Sequence, residues 1–185
     1  ERLDPVQAMT LVHLARNDAT AFRETVLRSG PLQWPNATYL AWAGMDEWVA
    51  DLVNQIDSQP WGETSKAIAE QAMRGTANLY GGDPERALQQ LSGSLELIQS
   101  AHAFSLSYGS LLVAVEQKAQ AQLALGDRNG ALQTLAISEE IKDTMQYFSP
   151  PAIVIWRRCQ ELRKAIQARE PVLADASEAG TSIPP

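Results

Sequence analysis

Apolar residues recur at three- and four-residue spacings along most of the chain, and short breaks rich in glycine or polar residues separate these stretches. The clearest break is Gly81-Gly82-Asp83-Pro84. Glycine readily adopts the left-handed conformation that ends a helix, and aspartate before proline is typical of a helix start. The flanking apolar positions have helical spacing: Ala67, Ile68, Ala72, Gly75 and Leu79 before the break, and Leu88, Leu91, Leu95 and Ile98 after it. This pattern predicts two antiparallel helices joined by a short turn.

Similar breaks predict the remaining helices. Asn17-Asp18, Gly44 and Gly126-Asp127 are expected to be turns within helical pairs. The further helices are expected at about 5–16, 19–29, 36–44, 46–56, 111–125, 129–147 and 150–169. Residues 102–108 are ambiguous between loop and helix, and 170–185, rich in Ala, Ser, Gly, Pro and acids, is expected to be a tail. The sequence thus predicts an all-α domain over 1–169, with about four hairpins and a C-terminal capping helix.

The turn glycines Gly44, Gly82 and Gly126 align three copies of one pattern. Each is preceded by a small residue at seven positions and followed by Val or Ala at five and an aliphatic at nine. The matched residues are Ala37, Val49 and Val53; Gly75, Ala87 and Leu91; and Ala119, Ala131 and Leu135. Asn17-Asp18 is a fainter fourth copy, with Phe22 and Val26 at the matching places.

This pattern resembles the tetratricopeptide repeat family over about 6–148. The resemblance implies antiparallel hairpins stacked as an α-solenoid, whose first helices line a concave groove. The turns are 27, 38 and 44 residues apart, whereas the family repeats at about 34 residues. Asn78 and Gln122 stand where the family has a large apolar residue, and no copy ends in the family's proline. The array is also similar to the sensor arms of bacterial regulators of the maltose-activator type.

Positions on the first helices that the core does not use are expected to face the groove. These are Thr38 and Trp42 in the second hairpin, Met73, Thr76 and Tyr80 in the third, and Glu116, Gln117, Gln120 and Ala124 in the fourth. The surface is uncharged in the middle and flanked by one acid. It suits a peptide or a modestly apolar ligand better than nucleic acid.

The net charge and the hydropathy of the chain narrow the range of protein classes to which it can belong. The formal net charge of −7 argues against general binding of nucleic acid or anionic membrane, because phosphates are bound by clustered Lys and Arg. No apolar run approaches the roughly 18–20 residues of a membrane span, and no signal-peptide pattern is present. We expect a soluble protein. Since the chain begins with Glu1, both a cytoplasmic protein and a processed, extracytoplasmic fragment stay open.

Two clusters depart from a plain scaffold. The tryptophans Trp34, Trp42, Trp48 and Trp61 either form an aromatic binding patch or bridge junctions between hairpins. The last helix has a basic end, formed by Arg157, Arg158, Arg163, Lys164 and Arg169. This end either docks an acidic partner or neighbouring domain, or is a solvated face in which Arg157 pairs with Glu161.

The sequence does not favour catalysis. The two histidines, His13 and His102, lie in opposite halves of the array, and neither is accompanied by a recognisable nucleophile. Cys159 falls on an apolar helix face with Ile155 and Ile166, as expected of a small buried hydrophobe. Phosphate-binding loops and dinucleotide fingerprints do not occur in the sequence.

Two further polar features have ordinary explanations. Glu139, Glu140 and Asp143 are expected to form a solvated surface, with a cation site as the alternative. Asn36, in a glycosylation-type triplet, is expected to cap a helix. We therefore expect neither a cofactor nor a metal.

Three functions remain open. The first is a non-enzymatic module that binds a protein or peptide in regulation or complex assembly. The second is a small-molecule sensor arm of a larger regulator, which predicts a closed apolar pocket. The third is a structural spacer with partners at its ends. The tail offers Val172, Leu173 and Ile183 as anchors to a groove or to a neighbouring chain.

Overall fold

The computed structural model describes residues 5–29, 37–100, 108–144 and 149–168. Within these ranges the chain is helical and has no strand, which confirms the all-α class. Nine α-helices are described: α1 (Pro5–Ala15), α2 (Ala19–Ser29), α3 (Ala37–Trp42), α4 (Asp46–Asn54), α5 (Glu63–Tyr80), α6 (Pro84–Ser100), α7 (Tyr108–Ala124), α8 (Arg128–Thr144) and α9 (Pro150–Ala168). A short 3-10 helix, Ile56–Ser58, follows α4. Predictions for Trp34, Asn36, His102, Arg169 and the tail lie outside the described residues.

Consecutive helices pack in pairs: α1 on α2, α3 on α4, α5 on α6 and α7 on α8. The second and third pairs meet mainly through α3 with α5, and the third and fourth through α6 with α7. The last helix packs on α7 and α8, as a capping helix would, but it also contacts α1. The two ends of the described chain are therefore in contact, and α9 covers an inner surface that an open array would leave accessible.

The four turns within the pairs share one backbone geometry. Each contains a residue with positive φ: Asn17 (56°), Gly44 (69°), Gly82 (86°) and Gly126 (81°). The next amide donates a hydrogen bond to the carbonyl five residues earlier, for example from Asp83 to Asn78 at 2.8 Å and from Asp18 to His13 at 2.9 Å. This is the Schellman arrangement that ends a helix. The predicted turns are confirmed, including the one that lacks glycine.

Aspartate starts the second helix in three of these pairs. A carboxylate oxygen of Asp18, Asp83 and Asp127 accepts a hydrogen bond from the amide three residues later, at 3.0, 3.2 and 2.8 Å respectively. Each bond satisfies an amide that has no partner inside the helix. Met45 holds this place before α4 and makes no such bond.

Residues matched between the copies occupy the contact between paired helices. Ala87, Ala119, Ala131, Leu91 and Leu135 are completely buried. At Gly75 a Cβ would lie 2.7 Å from Cγ of Leu91 and 3.3 Å from its backbone nitrogen. The approach of α5 to α6 therefore depends on the absence of a side chain at position 75.

Each of the two polar residues that depart from the family pattern is hydrogen-bonded to a polar residue in the partner helix of its own pair. Asn78 donates to Gln90 at 2.7 Å, and Thr134 donates to Gln122 at 2.7 Å. Both bonds join residues twelve apart, at the same places relative to the turn. In the α3–α4 pair these places hold two leucines, at 40 and 52. Two copies thus replace an apolar contact with a hydrogen bond.

The main cluster of buried apolar residues joins α1, α2, α3, α4, α6, α7, α8 and α9. Phe22 is fully buried and meets Trp42 edge-on, with ring centroids 5.5 Å apart.

Cys159 is completely buried beside Ile166, as predicted. Burial and the nearby charge of Glu116 raise the pKa of its thiol, so the thiolate needed for nucleophilic chemistry is disfavoured. In the described part of the chain no helix combines the length and apolarity needed to cross a bilayer.

Candidate functional site

A buried ion pair joins α7 to α9. Nε of Arg158 donates to Oε1 of Glu116 at 2.8 Å, and the two side chains are only 14 and 5 % exposed. Arg158 also donates through Nη1 to the Leu14 carbonyl at 3.0 Å and to Oδ1 of Asn17 at 3.2 Å. Its guanidinium lies 5.3 Å from the Trp42 ring centroid. One side chain therefore links α9 with α1, α3 and α7.

Further polar side chains continue from this pair along the inner faces of α5 and α7. Nε2 of Gln120 donates to Glu116 at 3.2 Å, and the Tyr80 hydroxyl donates to Oε1 of Gln120 at 3.4 Å. One turn away, the Thr76 hydroxyl lies 2.6 Å from Oε1 of Gln117 and 3.4 Å from the Thr38 hydroxyl. We call this set, with Glu116 and Arg158, the inner polar network.

Burial dominates the electrostatics of the network. It raises the pKa of Glu116, while Arg158 acts in the opposite direction. Burial acts to lower the pKa of Arg158, but Glu116 outweighs this effect and the net pKa is raised. The pKa of Tyr80 is raised by burial and by Glu116, against smaller opposing effects of Arg158 and a contact from Gln117. The tyrosines at 39 and 80 therefore stay protonated, and Arg158 stays charged.

The structure brings the predicted groove residues together but removes most of them from solvent. Thr38, Thr76, Glu116 and Gln117 are exposed by 8, 0, 4 and 1 %, respectively. Trp42, Met73, Tyr80 and Gln120 are half-buried, whereas Ala124 is exposed. Thr38, Thr76 and Gln117 contact one another, whereas Glu116 contacts α9, which the sequence placed only at the end of the array. Six of the predicted residues thus belong to an interior network, and the role of the set in binding a partner stays a prediction.

An apolar pocket of about 360 Å³ lies beside the network, between α3, α5, α6 and α7. We call it the central pocket. Its described lining consists of Ala37, Thr38, Trp61, Ser65, Ile68, Ala69, Ala72, Met73, Leu91, Ser94, Ile98, Val113, Ala114 and Gln117. Three of these, Thr38, Met73 and Gln117, were predicted from the sequence to face the groove.

The polar groups of the central pocket are few. The Ser94 hydroxyl is occupied, since it donates to the Ile68 carbonyl at 3.2 Å. Thr76, just behind the lining, shares its one hydroxyl proton between the Ala72 carbonyl at 2.9 Å and Gln117. Among the described residues, the amide nitrogen of Gln117 is buried without an acceptor in full hydrogen-bond geometry.

A second, polar cleft of about 860 Å³ lies between the end of α1 and α9. We call it the α1–α9 cleft. It is lined by Ala15, Arg16, Asn17, Glu116, Gln120, Val154, Trp156, Arg157, Arg158, Gln160, Glu161, Leu162, Lys164 and Ala165. The predicted basic end is divided: Arg157, Arg158 and Lys164 line the cleft, whereas Arg163 does not.

One predicted contact of the basic end is replaced by another. Glu161 pairs with Lys164 at 3.0 Å, and no ion pair joins it to Arg157 within the described residues. Arg158 is half-buried in the network rather than solvated. The sequence missed Arg16 and Asn17 as neighbours of this end, because they are more than 130 positions away along the chain.

The other candidate residues contribute less. Trp42 and Trp48 pack against the core, which agrees with the junction-bridging alternative, whereas Trp61 is 43 % exposed and lines the central pocket. His13 is half-buried in α1. No group of three His, Cys, Asp or Glu side chains within the described ranges is arranged to hold a metal ion, the acids of α8 included.

Comparison with known proteins adds no assignment. Neither a family model nor a curated protein nor a solved structure shows a significant match to this chain. Function must therefore be inferred from the pocket, the network and the cleft.

Proposed function

We propose that this protein is a non-enzymatic binding module whose central pocket holds a small, neutral and largely apolar molecule. The lining carries this proposal. Ten of its fourteen described residues are apolar, four are polar and none is charged. A charged ligand would lose its hydration there without gaining a partner of opposite charge, so we infer a neutral one.

The size and position of the pocket support the same proposal. A volume of about 360 Å³ falls in the range of roughly 300–1,000 Å³ that is usual for small-molecule sites. Such sites often lie between the helices of helical proteins. Of the functions left open by the sequence, the small-molecule sensor arm is the one that predicts a closed apolar pocket, and the central pocket is apolar but partly open, with Trp61 of its lining 43 % exposed.

Gln117 supplies a polar feature for recognition. Its amide nitrogen is buried, has no acceptor in full hydrogen-bond geometry among the described residues, and has only a contact with the Tyr80 hydroxyl, so an added acceptor would be favourable. Because Gln117 lines the central pocket, a ligand oxygen there could supply this acceptor. We therefore propose a ligand with one hydroxyl or carbonyl group on an apolar body.

Peptide binding along the predicted groove would require the inner polar network to open. Glu116 and Thr76 are buried, and Arg158 holds α9 against the end of α1. Replacing Trp42 and Tyr80 with alanine would not test such a groove cleanly, because both side chains pack against the core. The central pocket needs no such opening.

We further propose that the four helical pairs are copies of a tetratricopeptide-like repeat. Support comes from the four turns of one geometry, from the burial of matched small residues, and from the equivalent bonds Asn78–Gln90 and Gln122–Thr134. In this proposal the array is a ligand-holding arm that serves a regulatory protein.

Binding of the neutral fluorophore N-phenyl-1-naphthylamine tests the pocket. We expect a saturable rise in fluorescence with the native protein and at least a tenfold weaker affinity for Ala69→Phe, whose added ring fills the pocket. Ala136→Phe, at a half-buried alanine of α8 that does not line the pocket, is the matched control. Equal binding by Ala69→Phe and the native protein would contradict the proposal.

Competition tests the class of ligand. 1-Octanol is expected to displace the fluorophore at lower concentration than octanoate, because only the carboxylate must shed its charge hydration. Equal displacement by the two compounds would exclude a neutral-selective pocket.

A further inference from the structure

The α1–α9 cleft is positively charged on a negatively charged protein. Its described lining contains four cationic side chains and two anionic ones, while the whole chain has a formal net charge of −7. A fifth cation lies close by, since Nζ of Lys142 is 4.8 Å from the ring centroid of Trp156, which lines the cleft.

Two of the four cations that line the cleft have no charged partner among the described residues. Glu116 is neutralised by Arg158 inside the network, and Glu161 is paired with Lys164. Arg16 and Arg157 are both exposed, and neither makes an ion pair with another described residue. The excess charge is therefore located at two places in the cleft, one in the turn directly after α1 and one on α9.

The cleft also offers apolar surface between the charges. Val154, Trp156 and Leu162 are half-buried residues of α9 that line it. The lining part of α9, residues 154–165, extends about 17 Å at 1.5 Å per residue. A peptide of about six residues in extended form, at roughly 3.3 Å per residue, covers that length. A single small anion would leave most of this surface uncovered.

We propose that the α1–α9 cleft binds an acidic peptide segment of a partner protein. Carboxylates of the segment pair with Arg16 and Arg157, and alternate apolar side chains contact Val154, Trp156 and Leu162. Charge complementarity selects this occupant, because the rest of the acidic protein repels the same segment. The site is separate from the central pocket and does not depend on the ligand proposed there.

A fluorescein-labelled peptide, Asp-Leu-Glu-Phe-Asp-Leu, tests the proposal by fluorescence anisotropy with the full chain. We expect saturable binding that weakens as salt is raised, because exposed charges are screened. The double variant Arg16→Glu/Arg157→Glu is expected to bind at least tenfold more weakly. Arg28→Glu, an exposed arginine of α2 outside the cleft, gives the effect of a general charge change.

Three results would overturn the proposal. The first is equal loss of affinity per reversed charge in Arg28→Glu and in the cleft variant, which would indicate non-specific attraction. The second is equal binding of the amide analogue Asn-Leu-Gln-Phe-Asn-Leu, which would show that the carboxylates are not recognised. Displacement of the labelled peptide by millimolar inorganic phosphate alone would likewise exclude a peptide site in favour of a small-anion site. Circular dichroism of each variant confirms that it is folded.

Discussion

Tyr80 shows how strongly burial acts on a single residue of the inner polar network. Its hydroxyl donates to Gln120 and lies in the field of Glu116, and its pKa is raised, first by burial. A tyrosine whose folded pKa exceeds its unfolded value of about 10 adds stability that is complete below pH 10. This stability is lost as the pH rises through the folded pKa.

We therefore expect Tyr80→Phe to flatten the alkaline loss of stability. Above pH 10 the free energy of unfolding of the native protein should fall more steeply than that of the variant, by about 1.4 kcal/mol per pH unit. Urea unfolding of both proteins at pH 9, 10 and 11 measures the difference. Parallel curves would mean that Tyr80 ionises in the folded protein as it does in the unfolded chain.

Gly75 is the residue that sets the distance between α5 and α6. Alanine at this position favours the helix by about 0.5–1 kcal/mol over glycine, but its Cβ would meet Leu91 at 2.7 Å. Overpacking costs about 1–3 kcal/mol, so we expect Gly75→Ala to destabilise the protein by about 1–2 kcal/mol. Gly62→Ala, where a Cβ would have nothing within 4 Å, should change stability by under about 0.5 kcal/mol. Thermal unfolding of the two variants decides whether the close approach matters.

At the scale of helices, the sequence predicts the turns and helix starts, because residues close together in the chain determine them. The Gly82 and Gly126 turns were predictable because a left-handed residue and a capping aspartate are needed at adjacent positions. The Asn17 turn was predictable for the same reason, since asparagine tolerates positive φ. The sequence also showed Asn78 and Gln122 as departures from the repeat, but not that each has a polar partner twelve residues later.

The Gln122–Thr134 bond gives a prediction at this scale. Both residues are under 10 % exposed, so Gln122→Leu leaves the buried Thr134 hydroxyl without its partner and should cost about 1–3 kcal/mol. Gln122→Leu/Thr134→Val replaces both members with apolar groups, as in the α3–α4 pair, and should recover most of the loss. A double-mutant cycle from urea unfolding measures the coupling. Additive losses would show that the bond does not join the two helices energetically.

At the scale of the whole molecule, contacts distant in sequence decide whether the inner face is open. The sequence predicted the residues that share the inner face, and Thr38, Met73 and Gln117 do line the central pocket. It did not predict that Arg158 reaches Leu14 and Asn17, because helical periodicity carries no information on pairs more than 140 residues apart. A repeat model places its last helix at one end, whereas here α9 closes the array on α1. Most residues of the predicted groove therefore belong to the inner polar network, and the central pocket lies beside this network.

This closure gives the last prediction. Arg158→Met leaves Glu116 buried without its counter-ion, and breaking a buried pair in this way costs about 3–5 kcal/mol. Loss of Arg158 raises the pKa of Glu116 further, because the opposing effect of the Arg158 charge and hydrogen bond is removed. When the pKa of a carboxyl group is higher in the folded protein than in the unfolded chain, the protein loses stability as the pH rises above the unfolded pKa of about 4.3. The loss in free energy of unfolding caused by Arg158→Met should therefore shrink when the pH is lowered from 8 to 5.

The control is Lys164→Met, which breaks the exposed pair with Glu161. It should cost under about 1 kcal/mol and show no such recovery. Chemical denaturation of both variants at the two pH values makes the measurement, and a deficit of Arg158→Met that is small or independent of pH would show that the ion pair does not hold α9 against α1.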